Sequence, residues 1–227
     1  QADYLHTGHW SQRAIAEASR LLTGRVAADE ARSRYTTVPE PAAIALTRGA
    51  SYLHYTPNET IGGVEFPYVP DSGQAPLVAD MSSTILSRAI DVSRYGLIYA
   101  GAQKNIGPSG ITVVIVRDDL IGRAREVTPM VFDYRAVAEA GSMQNTPPTF
   151  GWYFAGLVFQ WIRREGGLPA MAERNRAKAE MLYAAIDGAG FYRNGVARNC
   201  RSWMNVPFTL AKPDLEKRFL EEGSAAR

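Results

Sequence analysis

Cysteine is nearly absent: the sequence holds one, Cys200, so no internal disulfide can form and no cysteine pair is available for zinc or dithiol chemistry. Histidine is scarce too, with His6, His9 and His54 alone and no His-Glu-x-x-His spacing; packing is the expected role for all three rather than metal binding. No long hydrophobic run occurs. The stretch from 151 to 162 is interrupted by Gln160 and closed by Arg163 and Arg164, short of the roughly 20 residues that cross a bilayer. Neither Gly-x-x-x-x-Gly-Lys-Ser/Thr nor Gly-x-Gly-x-x-Gly is present, which removes the usual phosphate-loop and dinucleotide signals. Charge of one sign is missing as well: the net is +2 with acidic and basic residues interspersed, leaving no stripe to neutralise a run of phosphates. No basic-then-apolar leader opens the chain, so the expectation is a cytoplasmic protein with neither a nucleic-acid nor a membrane partner.

The 227 residues, 46% hydrophobic and 21% charged, are ordinary globular composition and allow one large domain, or one plus part of another. The chain enters strand-like sequence directly at Gln1-Ala2-Asp3-Tyr4 without a methionine, so a longer parent chain is expected. Ser11, as N-cap, with Ala14, Ile15, Ala18, Leu21 and Leu22 at helical spacing predicts a helix ending near Gly24. The segment from Ala28 to Arg48, with Val38-Pro39-Glu40-Pro41, yields no clear element. Strands are predicted at Ser51 to Thr56, Pro76 to Asp80, Tyr95 to Ala100 and Ile111 to Val116, the third reading as buried on both faces. The ten residues from Gly101 to Gly110 are too few for a crossover helix, so the last two strands are expected to be antiparallel neighbours. Helices follow at Thr149 to Arg164 and Leu168 to Ile186, parted by Gly166-Gly167. Asn205 to Phe208 reads as a strand, and Leu215, Phe219 and Leu220 as a last helix. The mixture argues an α/β fold.

Lysine usage is the most informative count. Only Lys104, Lys178, Lys212 and Lys217 occur among 25 basic residues, so arginine serves for surface charge and Lys104 stands alone in the first 177 positions. Lys104 lies in an uncharged turn after a buried strand. By position alone an exposed turn lysine is the plainer reading, but a lysine can form a Schiff base where arginine cannot. Asp80 ends the preceding strand, where ligands gather in open α/β sheets. Taken alone it could cap a turn with Ser82 and Ser83. Lysine and carboxylate on successive strand ends are what a pyridoxal phosphate enzyme needs: one group to hold the aldehyde, the other to keep the ring nitrogen protonated.

Four stretches, Pro57-Asn58-Glu59-Thr60, Ala79-Asp80-Met81-Ser82-Ser83, Tyr99 to Pro108 and Asn145-Thr146-Pro147-Pro148-Thr149, resemble the phosphoserine aminotransferase family, and Tyr192-Arg193-Asn194 with Met204 to Phe208 extends the likeness over nearly the whole chain. The resemblance implies a fold type I transferase with a mixed, mostly parallel sheet flanked by helices, and a homodimer. It also implies amino transfer from glutamate to 3-phosphohydroxypyruvate in serine biosynthesis, or to a related phosphorylated keto acid in pyridoxine biosynthesis. By the same resemblance Lys104 would bond to pyridoxal phosphate and later shuttle a proton, and Asp80 would pair with the ring nitrogen. Trp10 would stack on the ring, Thr60 would hydrogen-bond its phenolic oxygen, Gln103 would reach its phosphate, and Asn145 and Thr146 would reach the phosphate in the partner subunit. Each has a plain alternative: Trp10 as core, Thr60 in a turn, Asn145-Thr146 as a helix cap. The sequon-like Asn58-Glu59-Thr60 is then part of the site and not a glycosylation signal.

Other parts of the family pattern are absent: a Ser-Gly-Pro motif, a His-Arg pair, an arginine-bearing glycine-rich loop, and a later Gly-Gly-x-Arg. The expectation is therefore a fragment, with residues 1–166 in a large cofactor domain lacking its start and 167–227 opening a small, truncated one. An alanine-glyoxylate type aminotransferase and a non-catalytic truncated paralogue remain the alternatives.

Overall fold

The computed structural model describes residues 1–226. Strands β1 (Ala2–His6), β2 (Gly24–Asp29), β3 (Leu53–Tyr55), β6 (Leu77–Asp80), β7 (Leu97–Gly101) and β8 (Thr112–Val116) form one six-stranded sheet in the order β2-β1-β3-β6-β7-β8. The first five run parallel and β8 is antiparallel to β7. Between β3 and β6 the chain forms a small antiparallel pair, β4 (Asn58–Glu59) and β5 (Val64–Glu65). Helix α1 (His9–Ala18) carries the crossover from β1 to β2, and a short α2 (Tyr134–Glu139) precedes α3 (Thr149–Arg164) and α4 (Gly167–Gly188). A two-stranded pair, β9 (Tyr192–Arg193) with β10 (Thr209–Leu210), and α5 (Glu216–Ala225) complete the chain.

Period-two alternation divides the sheet. One face carries Leu5, Leu53, Tyr55, Leu77, Ala79, Ile98 and Ala100, all buried in the main core. The other carries Tyr4, His54, Val78, Leu97 and Tyr99. Strand β7 therefore alternates buried and half-buried residues instead of being buried on both faces. Its outer face lines a cavity of about 500 Å³ with Tyr52, His54 and Tyr134, so the apolar run reflects a second, less covered packing surface.

Three expectations need correction. Helix α1 starts three residues earlier, capped at Gly8, and ends at Ala18; Ser11 is its third residue, and its hydroxyl accepts from the Thr7 and Gly8 amides. Gly24 opens β2 instead of closing the helix, because pairing with β1 from Ala2 onward supplies the backbone partners there. Asn205 to Phe208 is not a strand: Asn194 Nδ2 donates to the Pro207 carbonyl at 2.6 Å, and ladder pairing begins only at Thr209. Helix α3 keeps its predicted bounds, but only Gly151, Ala155 and Ile162 are buried on it, while Phe150, Phe154, Leu157 and Trp161 remain substantially exposed.

Candidate active site

The C-terminal ends of parallel strands are where backbone direction and loop geometry leave room for ligands, and here they bring four loops together. After β1, Gly8 packs so closely on Glu59 that a Cβ there would lie 2.8 Å from the Glu59 carboxyl carbon. That approach lets the buried Glu59 carboxylate accept from the amides of Trp10 and Ser11, each at 2.8 Å. An anion at a helix N-terminus satisfies two amides that have no partner within the helix and opposes the helix dipole. It also fixes Trp10 against the loop after β4, where Trp10 Nε1 donates to Thr60 Oγ1 at 2.7 Å. Trp10 is 39% exposed, so part of it remains open to a ligand.

Asn58 joins this wall to the next loop, its Nδ2 donating to Ser83 Oγ and to Asn205 Oδ1, both at 2.9 Å. Beside it, Ser82 links the two residues of chief interest. Its hydroxyl donates to Asp80 Oδ1 at 2.6 Å, its amide donates to the same oxygen at 3.0 Å, and its oxygen accepts from the Gly101 amide at 3.1 Å. Gly101 ends β7 three residues before Lys104, and Asn105 Nδ2 donates to the Ile85 carbonyl at 2.9 Å, anchoring the loop from its far side. Trp10, Thr60, Asp80 and the Lys104 loop thus belong to one hydrogen-bonded rim.

Behind the rim, His54 Nε2 and the Tyr99 hydroxyl lie 3.0 Å apart. Burial lowers the His54 pKa to about 4, the neighbouring Asp80 charge acting in the opposite direction. Burial also raises the Tyr99 phenol, and the charge of the neighbouring Asp80 acts in the same direction.

The residues present fit pyridoxal phosphate by the chemistry of their free groups. Asp80 has one carboxylate oxygen engaged by Ser82 and the other without such partners. Lys104 is exposed, and no hydrogen bond or ion pair engages its amine among the described residues. Thr60 accepts from Trp10 and keeps its hydroxyl proton available. Gln103 is exposed, but its amide folds back over Gly101, where a Cβ would meet Gln103 Oε1 at 2.5 Å. Asn145 and Thr146 lie elsewhere: both are exposed and line a cavity of about 690 Å³ with Ile106, Val113, Trp152 and Phe159. None of the other five candidates lines that cavity.

Sequence reasoning saw Asn58, Glu59, Ser82 and Tyr99 only as motif or turn residues, assigned them no role, and read His54 as a packing residue. Period-two alternation could have put Tyr99 and Asp80 on one face, but the register that sets them side by side is not written in either strand alone.

Comparison with known proteins agrees over the whole chain. The family model described as Aminotransferase class-V matches residues 1–226. The phosphoserine aminotransferase of Azotobacter vinelandii is 58% identical over 219 residues, which is 96% of this chain and 61% of the relative. Among solved structures, the phosphoserine aminotransferase of Bacillus circulans subsp. alkalophilus superposes with a TM-score of 0.96 at 46% identity, over 99% of this chain and 63% of that one. The PLP-bound phosphoserine aminotransferase of Trichomonas vaginalis gives 0.92 at 38% identity, over 99% and 65%. The chain spans a little over three-fifths of the relatives it matches.

Proposed function

This chain belongs to the class-V aminotransferases, and from that premise we propose that it carries the reacting centre of a phosphoserine aminotransferase, moving an amino group from glutamate to 3-phosphohydroxypyruvate to give O-phosphoserine and 2-oxoglutarate. The carrying observation is the link Asp80–Ser82–Gly101, which ties a ring-nitrogen carboxylate to the loop of a lone lysine at adjacent strand ends. High identity to phosphoserine aminotransferases supports this reading over the alanine-glyoxylate type and over a non-catalytic paralogue.

Bound pyridoxal phosphate supplies an electron sink for the pair left when a proton leaves the substrate's α-carbon. In this reading Lys104 Nζ would hold the aldehyde carbon and, once free, would take the proton from that α-carbon and deliver it to the former aldehyde carbon. The free oxygen of Asp80 holds a proton on the ring nitrogen. Trp10 stacks on the ring and excludes water from one face, and the Thr60 hydroxyl donates to the phenolic oxygen while its own oxygen is held by Trp10 Nε1. Gln103 turns outward from Gly101 to reach the phosphate. Asn145 and Thr146, which line a cavity that none of the other candidates lines, serve the phosphate bound by the second subunit of a homodimer. In the same reading residues 1–166 form the cofactor domain and 167–227 belong to a smaller one, and a cytoplasmic location is inferred, with the family resemblance and the single cysteine in its support.

The test is the visible spectrum of the protein with pyridoxal phosphate before and after glutamate. We expect a protein-bound band that collapses when glutamate is added, and its complete loss in Lys104→Ala. A Lys104→Ala protein that keeps both the band and turnover would overturn the assignment.

A further inference from the structure

We propose that Tyr99 and His54 are positioning residues for Asp80, joined in a file from β3 through β7 to β6 in which His54 Nε2–H donates to the Tyr99 oxygen and the Tyr99 hydroxyl donates to the Asp80 carboxylate. The inference rests on the role given to Asp80 above and adds two residues that do not touch cofactor or substrate.

Direction follows from counting protons. A carboxylate only accepts, and a phenol has one proton to give. Tyr99 stands opposite Asp80 in the β6–β7 register, and the nearby Asp80 charge raises its phenol, so in the file its proton is committed there. The Tyr99 oxygen is left as an acceptor, and His54 Nε2, 3.0 Å away, must then carry the hydrogen. That choice of tautomer leaves Nδ1 unprotonated, and Nδ1 is the buried atom that has no hydrogen-bond partner. The surroundings keep the ring neutral, as the file requires. Tyr4 from β1 packs on His54 with ring centroids 5.2 Å apart, and its hydroxyl pairs with that of Tyr52 at 2.5 Å. Tyr134 of α2, Asp133 and Arg123 line the same cavity. In the file Asp80 is held from two sides, by Ser82 on Oδ1 and by Tyr99, with an acceptor site of its second oxygen left for the ring nitrogen. A carboxylate held this way has its remaining acceptor site aimed, and misplacement by about 1 Å is enough to cost on the order of a hundredfold in rate.

Two measurements test the file. In the protein as isolated, ¹⁵N-histidine spectra should show His54, identified by its absence from His54→Gln, as the neutral Nε2–H tautomer between pH 6 and 8; an Nδ1–H tautomer would overturn the proposal whatever happens to the variants. In the cofactor-loaded protein, Tyr99→Phe preserves the packed ring and removes the hydroxyl. It should lower kcat about tenfold, the lower end of what outer-sphere partners contribute, with KM for glutamate within about twofold, and displace the visible band of the bound cofactor. Added to Asp80→Asn it should do nothing further, since its effect runs through that carboxylate. An unchanged band and kcat in Tyr99→Phe, or full additivity with Asp80→Asn, would sink the file while leaving the functional reading intact. A wild-type protein that binds no cofactor would sink the functional reading and this proposal together.

Discussion

Acid should weaken this fold through one side chain, and the size of the effect can be worked out. His54 is buried, with its pKa lowered from 6.5 to about 4. The folded state therefore binds a proton less readily than the unfolded chain, so stability contributed by neutral His54 is fully present above pH 6.5 and is lost as pH falls toward 4. The full shift, at 1.36 kcal/mol per pH unit, amounts to about 3 kcal/mol, and on moving from pH 7.5 to 5.0 about 2 kcal/mol of it should disappear. With a urea slope of about 2 to 3 kcal/mol per molar for a chain of this length, the unfolding midpoint should fall by roughly 0.7 to 1 M on this account. The burial-raised Glu65 carboxyl works the other way, since its folded form holds a proton more tightly and stability falls as pH rises past its unfolded value. Comparing wild type with His54→Gln at both pH values cancels Glu65 and isolates the histidine. If His54→Gln loses as much stability between pH 7.5 and 5.0 as wild type does, to within about 0.5 kcal/mol, the burial argument is wrong.

Glu59→Gln presents an amide nitrogen to one of two helix-terminal N–H groups and removes the charge from both bonds; a loss of about 2 to 3 kcal/mol is expected, read as a Tm lower by roughly 5 to 10 °C. Arg88→Ala strips the ion-pair partner from buried Glu65, to which the Trp203 amide still donates at 2.9 Å. Its cost should be about 3 to 5 kcal/mol and greater at pH 8 than at pH 5 by urea denaturation, because the unpaired carboxyl is tolerated better when protonated. Gly63→Ala places a Cβ 2.3 Å from Pro207 Cδ at φ +69°, so soluble expression should fall sharply, while the control Gly49→Ala, also at positive φ but with open space around it, should cost only the backbone strain of about 1 kcal/mol.

The elements set by local pattern were legible from sequence. Helix α3 could be bounded because Pro148 and the Gly166-Gly167 pair punctuate it, and the antiparallel β7–β8 pair followed from a connection too short for a helix. Lys104 and Asp80 stood out by usage and by strand ends. The start of α1 was not legible, because the carboxylate that caps it arrives from Glu59, 48 or 49 positions away, whereas Ser11 offers the composition of a cap within the helix itself. Tyr99 and His54 were missed for a related reason. Each is an unremarkable aromatic in an apolar strand until the parallel register puts Tyr99 beside Asp80 and the fold brings His54 Nε2 within 3.0 Å of the Tyr99 hydroxyl.

The antiparallel turn back into β8 also has a consequence for the order in which the molecule comes together. Leu97 pairs with Val116 and Gly101 with Thr112, so the loop bearing Lys104 closes within about twenty residues and needs no distant segment. The opposite wall depends on Thr60 meeting Trp10 across 50 positions and on Asn58 meeting Asn205 across 147. Because loop-closure entropy delays distant contacts more than near ones, the hairpin is expected to be native in the folding transition state and the Trp10 wall to lock afterwards. During folding the Lys104 amine is thus displayed on a finished hairpin before the Trp10 wall that faces it exists.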